Sequence, residues 1–547
     1  MKVTLTAIAS QYIHMPLAPF CLKKAVEERM PQTRVTICDL NVNETPEALL
    51  RRLMVTDPDV LGFSLYIWNR AMTARLIRMV KALRPDITVA VGGPEATWDV
   101  DGVFAQVPCD VVLRGPGEAS LPLLLKALAG QVLMTEVPGL CRRGDAAWAA
   151  LPPAPVPRDD LYDGAWQTML AGRMAYVETS RGCPFTCAFC LSGQREKVRF
   201  MDADKALALL IRLGRSGAET VKIIDRTFNC DRTRTKRLLA GLMAAKARGE
   251  IGGVCYHMEV AADLFDNETL DLLAQAPPGL FQMEAGLQSF HSAALAACRR
   301  PTDMALLSDR LTRILAPGNV HLHIDLIAGL PEEDFDTFGI SFDRAYRLGP
   351  HQLQLGFLKL IHGSRLRETD WGQRYAPDPP YEVLSTPWIT YEELQCLHDC
   401  ADAVERLYNS GRFAQTLALA FAHTGWRPFE LFLRLGEAMG ARQGRWSLDA
   451  LTRLVFDTLL EAGTPEAALR DALALDRLAT DNTGYLPPFL QHGGEDLKMA
   501  VRRLRAWEPS CRHPRCALTR DGKTLLWAVW TQKHPVTQRG EVRQMTL

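Results

Sequence analysis

Over roughly the first 130 residues, short apolar or β-branched runs alternate with amphipathic stretches. Residues 3–8, 35–38, 60–65, 88–91 and 111–113 have strand length, while 17–29, 47–54 and 69–83 between them carry helical spacing. In the last of these, Met72, Leu76, Met79, Val80 and Leu83 fall on one stripe at intervals of three and four. Five strands with intervening helices predict an α/β fold that begins with a doubly wound parallel sheet. Ligands of such sheets lie beyond the carboxyl ends of the strands.

The rhythm breaks over residues 131–172, where Leu151-Pro-Pro-Ala-Pro-Val-Pro157 predicts a stiff, extended linker. It resumes with strands expected at 175–180, 221–225, 254–260, 281–287, 321–327 and 352–360, and helices at 202–217, 232–247, 267–276, 303–315 and 335–348. Six such units suit a partial (β/α)6 barrel, whose chemistry sits at the carboxyl ends of its strands. Beyond residue 375 the pattern is helical, with Leu394, Leu397, Ala401, Val404 and Leu407 on one stripe and further helices over 413–423, 428–439, 448–462 and 465–478. A hairpin is expected around Asp521-Gly522. The expected organisation is therefore a sheet domain over 1–135, a proline-rich linker over 136–172, a barrel over 173–375 and a mainly helical domain with a terminal hairpin over 376–547.

Composition narrows the function classes. The 63 basic and 63 acidic residues balance, so nothing in the overall charge points to nucleic acid or an acidic membrane surface. No run approaches the length of a membrane span, and residues 1–8 lack a cleavage signature. Fourteen cysteines without a disulfide-framework rhythm point to a reducing, cytoplasmic setting.

Three of those cysteines crowd into eight residues, Cys183-Pro-Phe-Thr-Cys187-Ala-Phe-Cys190, directly after the first barrel strand. Three soft thiolates suit an iron–sulfur cluster with one iron left open, since such clusters are normally held by four. A zinc knuckle needs a fourth ligand at short spacing, and the next thiol, Cys230, is far along the chain. Three strand ends of the first sheet are also modified: Ser64-Leu-Tyr66-Ile-Trp68, Gly92-Gly93-Pro-Glu95 and Gly115-Pro-Gly117-Glu118. Glycine lets a backbone approach a ligand closely, so these ends suit a flat, extended molecule. In the barrel, Asp225-Arg226-Thr227 closes the second strand and Glu284-Ala-Gly-Leu-Gln288-Ser289 the fourth. His257 and Glu259 share one strand face, as do His321, His323 and Asp325; both sets read equally as polar filler or as groups for substrate binding and proton transfer. Lys359 and His362 are weaker candidates. Cys396 with Cys400, and Cys511 with Cys516, are explained by helix spacing and a surface loop without a second cluster.

The cysteine spacing, with Phe189 before the last thiol, resembles the motif of the radical S-adenosylmethionine enzymes. The first 130 residues resemble the cobalamin-binding domain that precedes many of them, and the carboxyl-terminal region resembles a poorly characterised domain that follows the pair. This resemblance implies a [4Fe-4S] cluster on Cys183, Cys187 and Cys190, with S-adenosylmethionine on the open iron. It places Asp225 and Arg226 near the amino group, Glu284, Gln288 and Ser289 near the ribose and carboxylate, and Phe189 against adenine. Cobalamin falls to Ser64, Tyr66, Trp68, Gly92, Gly93, Gly115, Gly117 and Glu118. The Asp-x-His-x-x-Gly signature that supplies a cobalt ligand elsewhere is absent, and His14 in the first strand–helix loop reads as a locally packed histidine. The implied activity is formation of a 5′-deoxyadenosyl radical and methylation of an unactivated carbon in an unknown substrate, with an external electron donor as partner. Radical rearrangement or ring formation, or a non-catalytic cobalamin- or redox-responsive binding protein, are the alternatives.

Overall fold

The valines and isoleucines of the early strands leave little room for any face but a buried one. In the computed structural model, which describes residues 1–145, 147–162, 169–193, 197–441, 445–480, 486–508 and 514–547, both faces of the first sheet are covered by helices. The chain divides into two units, one of residues 1–282, 298–300 and 359–383, the other of 283–297, 301–358 and 384–547.

The first unit contributes β1 (Lys2–Thr6), β2 (His14–Met15), β3 (Arg34–Ile37), β4 (Val60–Ser64), β5 (Thr88–Gly92), β6 (Val111–Leu113) and β7 (Leu140–Arg142). All but β2 form one sheet in the order β3-β1-β4-β5-β6-β7, parallel except for β7. The order reverses at β1, which pairs with β3 on one side and β4 on the other, so a crevice opens at the carboxyl ends there. Helix Arg70–Leu83 turns Leu76, Ile77 and Val80 onto one face of the sheet, against Leu61, Phe63 and Val89. Leu121, Leu124 and Leu125 cover the other face, over Val3 and Leu5. Thr45 starts helix Pro46–Val55 by accepting from Ala48 N at 3.3 Å, with proline in the first turn.

Two strands depart from expectation. β7 lies inside the stretch expected as linker; its three residues, flanked by Gly139 and Arg143, carry too little alternation to be read. β2 leaves the first sheet altogether and pairs in parallel with the first barrel strand, His14 opposite Met174.

That barrel strand is β8 (Met174–Val177). After it come β9 (Ser180–Arg181) and β10 (Arg199–Phe200), a short antiparallel pair, then β11 (Thr220–Ile223) and β12 (Cys255–Val260). β2, β8, β11 and β12 are neighbours in that order and all parallel. Helices Ala203–Gly214, Arg232–Ala247 and Asn267–Ala274 follow β10, β11 and β12, each started by an aspartate side chain (Asp202, Asp231, Asp266) that accepts first-turn amides. β13 (Phe281–Gln288), β14 (His321–Ala328) and β15 (Gln352–Phe357) complete the six strand–helix repeats of a partial barrel.

The second unit joins β14 and β15 to the helical region. Residues 404–409 form one π-helical turn after helix Tyr391–Ala403, and this turn aims Asn409 at the outer edge of β15. The Asn409 amide accepts from Leu353 N at 2.9 Å and donates to Leu353 O at 3.0 Å, as a neighbouring strand would. Phe342, Tyr346, Tyr408 and Phe432 pack as a ring cluster behind it, with centroids 4.9–6.4 Å apart. The short strands β16 (Arg374–Tyr375) and β17 (Val383–Ser385) precede these helices. The expected hairpin is present as β18 (Cys516–Leu518) and β19 (Thr524–Lys533), turning through Gly522 at φ +72°, with β20 (Gly540–Thr546) added antiparallel. No helix among the described residues is long and apolar enough to cross a membrane.

Candidate functional site

At the carboxyl ends of β1, β4, β5 and β6 the first unit encloses a cavity of about 650 Å³. Ser64, Tyr66, Trp68, Gly92, Gly93, Gly115, Gly117 and Glu118 all line it, so the structure brings together every residue that the resemblance assigned to cobalamin. Tyr66 and Trp68 stack at 4.3 Å with 9° between their planes, a flat aromatic platform at the cavity wall. Fully buried Asn69 holds that turn: it accepts from Tyr66 N at 2.9 Å and donates to Ser64 O and Ile8 O. Burial pushes the Tyr66 hydroxyl up to about 12, so the platform stays uncharged at neutral pH. At Gly93, φ is +95° and an added Cβ would lie 2.7 Å from Leu65 O, so only glycine keeps the β5 exit this close to the β4 exit. A flat, extended macrocycle suits this wall.

The opposite wall comes from the barrel. Tyr176 and Lys222 are in register on β8 and β11, and one step further on stand Glu178, Ile224 and Glu259, all at the cavity. His14 also lines it, not from a loop as expected but from β2. Its Nδ1 shares a 2.8 Å hydrogen bond with the Tyr176 hydroxyl, and burial, Lys222 and Arg173 all lower its basicity.

Cys183, Cys187 and Cys190 follow β9 on a loop held at its middle by two backbone bonds: Ala188 N donates to Cys298 O, and Ala188 O accepts from Leu366 N, both at 2.9 Å. Among the described residues the three sulfurs have polar neighbours at 3.4 Å, namely Thr227 Oγ1 at Cys183, the Arg300 guanidinium at Cys187 and Ser192 N at Cys190. Arg300 and Ser192 N donate to sulfur, as an anionic thiolate cluster requires, and such donors tune its potential. The loop therefore fits a cluster by its donor set. Phe189 sits half-buried between Ala188 and Cys190.

Asp225 is placed differently from the amino-group role expected of it. Its carboxylate is 1% exposed and accepts from Thr179 N at 2.6 Å, Ser180 N at 2.9 Å and Thr179 Oγ1 at 2.6 Å. Its geometry is that of a clamp on the backbone leading to Cys183. Arg226, by contrast, is exposed and reaches the cavity.

Glu284, Gln288 and Ser289 belong to the second unit. Gln288 ends β13 at φ +70° and is 9% exposed, and its Oε1 has no hydrogen-bond partner among the described residues. A strained backbone together with an orphaned buried acceptor suits a ligand contact. Glu284, His323 and Asp325 present ligand-capable atoms within 4.8 Å of one another, with His323 Nε2 and Asp325 Oδ1 at 2.9 Å.

Ser289 turns inward and donates to Glu333 Oε1 at 2.5 Å, while Ser341 donates to the same oxygen at 3.0 Å. Burial pushes the Glu333 carboxyl from 4.5 up to about 7. Between those values the folded chain keeps a proton that the unfolded chain has lost, so stability present below the lower value declines as pH rises to about 7. The loss is roughly 3 kcal/mol at most. Thermal midpoints measured at pH 5 and pH 8 should therefore fall further in the wild type than in Glu333→Gln; equal falls would remove this role.

Several residues were not singled out from the sequence. Arg300 follows a helix and has no motif of its own. Tyr176 on β8 and Glu178 just past its end alternate and could have been found by period two. Arg181 stands within the Thr-Ser-Arg-Gly-Cys run but gives no sign there of its partners, Glu118 at 2.7 Å and Glu178 at 2.6 Å. Among the weaker candidates, His362 Nε2 lies 3.7 Å from Asp99 Oδ2, and Lys359 bridges to Glu382 in backbone pairing. Cys400 is buried and Cys396 exposed on one helix, and Cys511 lies outside the described residues.

Comparison with known proteins agrees with this layout. The chain matches the family model described as B12 binding domain over residues 3–125, that of the radical SAM superfamily over 177–345, and a protein of unknown function, DUF4080, over 369–511. It is similar to the cobalamin-dependent radical SAM methyltransferase TokK of Streptomyces tokunonensis, at 26% identity over 71% of this chain and 60% of that one. It is also similar to 2-(S-pantetheinyl)-carbapenam-3-carboxylate methyltransferase of Streptantibioticus cattleyicolor, at 27% identity over 54% of this chain. The chain thus spans 60% and 46% of the lengths of these two relatives. Among solved structures, the cobalamin-dependent S-adenosylmethionine radical enzyme OxsB superposes with a TM-score of 0.60 at 14% identity, over 93% of this chain and 81% of that one. The radical S-adenosylmethionine methyltransferase TsrM from Kitasatospora setae does so with 0.55 at 17%, over 70% and 78%. At these identities the likeness is one of fold. Sheet, barrel and helical carboxyl-terminal region, each matched by its own family model, place this chain among the radical S-adenosylmethionine enzymes that carry a cobalamin-binding domain, with a domain of unknown function behind the barrel.

Proposed function

We propose that this protein is a cobalamin-dependent radical S-adenosylmethionine enzyme that methylates an unactivated carbon, working in a reducing cytoplasm with an external electron donor. The observation that carries the reading is the cavity of the first unit. One wall is the glycine-rich and aromatic edge of the first sheet, and the other is the barrel face that leads within a few residues to Cys183. When bound, the cluster supplies the electron that cleaves the sulfonium, and cobalamin supplies the methyl group; the protein supplies position and excludes solvent.

Cys183, Cys187 and Cys190 would hold the cluster, and Thr227, Arg300 and Ser192 N would temper its charge. The Tyr66–Trp68 platform and the exits at Gly92-Gly93 and Gly115–Glu118 would seat the corrin face. The resemblance gives Glu284 and Gln288 the ribose and carboxylate of S-adenosylmethionine, and Phe189 its adenine. Arg226 stands at the cavity as a free-reaching cation for an anionic group.

Anaerobic incubation of the loaded protein with S-adenosylmethionine and reductant tests the reading. Methyl transfer should yield both 5′-deoxyadenosine and S-adenosylhomocysteine. Formation of 5′-deoxyadenosine alone would replace it with a rearrangement, and formation of neither, at full cluster and cobalamin loading, would refute an enzymatic role.

A further inference from the structure

Four residues, 178–181, separate β8 from Gly182, and the side chain or backbone of each is fixed. Glu178 Oε2 pairs with Arg181 Nε at 2.6 Å. Thr179 and Ser180 are bonded to Asp225. Arg181 Nη2 crosses to Glu118 Oε1 at 2.7 Å, and Gly182 at φ +95° then turns the chain into Cys183. Glu118 stands in the first turn of helix Gly117–Leu128, at the glycine-rich rim of the cavity. The three side chains are only 13–22% exposed, so little water or salt screens them. Two carboxylates share one guanidinium, which leaves the set with one negative charge.

Resting on the cobalamin reading above, we infer that Arg181 is a positioning residue that couples occupancy of the cavity to the redox poise of the cysteine-held cluster, with Glu118 as the group that senses the occupant. A large ligand seated on the rim displaces water from around Glu118. The net negative set then lies in a lower dielectric, and its interactions grow stronger. Because Arg181 is two residues from Cys183, the stronger field and the tighter clamp act at the first cluster thiolate. Adding an electron there becomes less favourable, so the occupied cavity lowers the cluster's potential. Linkage requires that cluster reduction weaken cobalamin binding by the same factor.

The test is a redox titration of the cluster-loaded full chain with and without hydroxocobalamin, followed through the reduced cluster's own EPR signal. In the wild type, cobalamin should lower the reduction equilibrium about five- to tenfold, and tenfold is 59 mV for one electron. In Glu118→Gln the change should fall below about twofold. Arg181→Lys keeps the cation but can reach only one carboxylate, so its change should lie between the two. It decides by the same criterion if Glu118→Gln loses cobalamin. An equal change in wild type and variant, or none in a cobalamin-loaded wild type, overturns the inference. Failure of the wild type to retain cobalamin through gel filtration, read from its visible spectrum, refutes the cobalamin reading instead.

Discussion

Cys187→Ala is expected to abolish cluster assembly, with iron after anaerobic reconstitution falling from about four per chain to a trace, in line with a cluster that needs every thiolate ligand it has. Cys187 is the buried member of the three, with the Arg300 guanidinium 3.4 Å from its sulfur. Burial raises its thiol, Arg300 opposes that, and the other two cysteines add to it, so the three sulfurs already feel one another. The loop itself is held through the backbone of Ala188, not through the thiol, so the variant should fold normally and lose only the metal. Cys230 provides the control. Burial pushes its thiol up to about 11, with smaller contributions from Asp225 and from Cys183, which places it near the loop although it is remote in sequence. Cys230→Ala should keep full iron. Full iron in Cys187→Ala, or its loss in Cys230→Ala, would redraw the ligand set.

The second large effect is expected at Asp225. Alanine there leaves Thr179 N, Ser180 N and Thr179 Oγ1 without their acceptor, and removes the carboxylate that Arg234 faces from the helix after β11. Breaking a buried, hydrogen-bonded charge costs about 3–5 kcal/mol. Asp225→Ala should therefore unfold at markedly lower temperature and assemble little cluster. Asp225→Asn preserves the shape: its carbonyl can accept from both amides, and the Thr179 hydroxyl can rotate to accept from its NH2. That variant should keep its iron, its thermal midpoint within a few degrees, and its affinity for S-adenosylmethionine. A stable Asp225→Asn that loses S-adenosylmethionine would return the residue to the amino-group role its position in the motif implied.

The contrast between those roles shows where sequence reading succeeds. Strand and helix positions were legible because two-sided burial imposes continuous apolar runs such as Val60-Leu-Gly-Phe and helical stripes such as Met72, Leu76 and Val80. The cysteine loop and the glycine exits were legible because few other residues can do their work. What could not be read is pairing across the fold. Asp225 and Glu118 stand at motif positions and were assigned to ligands, yet both engage the protein through partners 46 and 63 residues away. β2 was hidden because two residues have no periodicity, and β7 because its neighbours are those of a turn. Ser289 stands at a ligand position of the motif, but its orientation depends on Glu333, a residue whose burial no local pattern announces.

The Asn409 side chain that closes the edge of β15 has a consequence for how this chain avoids sticking to itself. An unpaired outer strand offers amides and carbonyls to any other strand, and proteins blunt such templates with charges, prolines or a cover. Here an amide side chain serves as cover, delivered by a π turn and backed by aromatic rings. The helical region is thereby a chaperone for the barrel's last strand. A chain cut after residue 375 would keep all six barrel strands and lose the cap, leaving Leu353 open to edge-to-edge association.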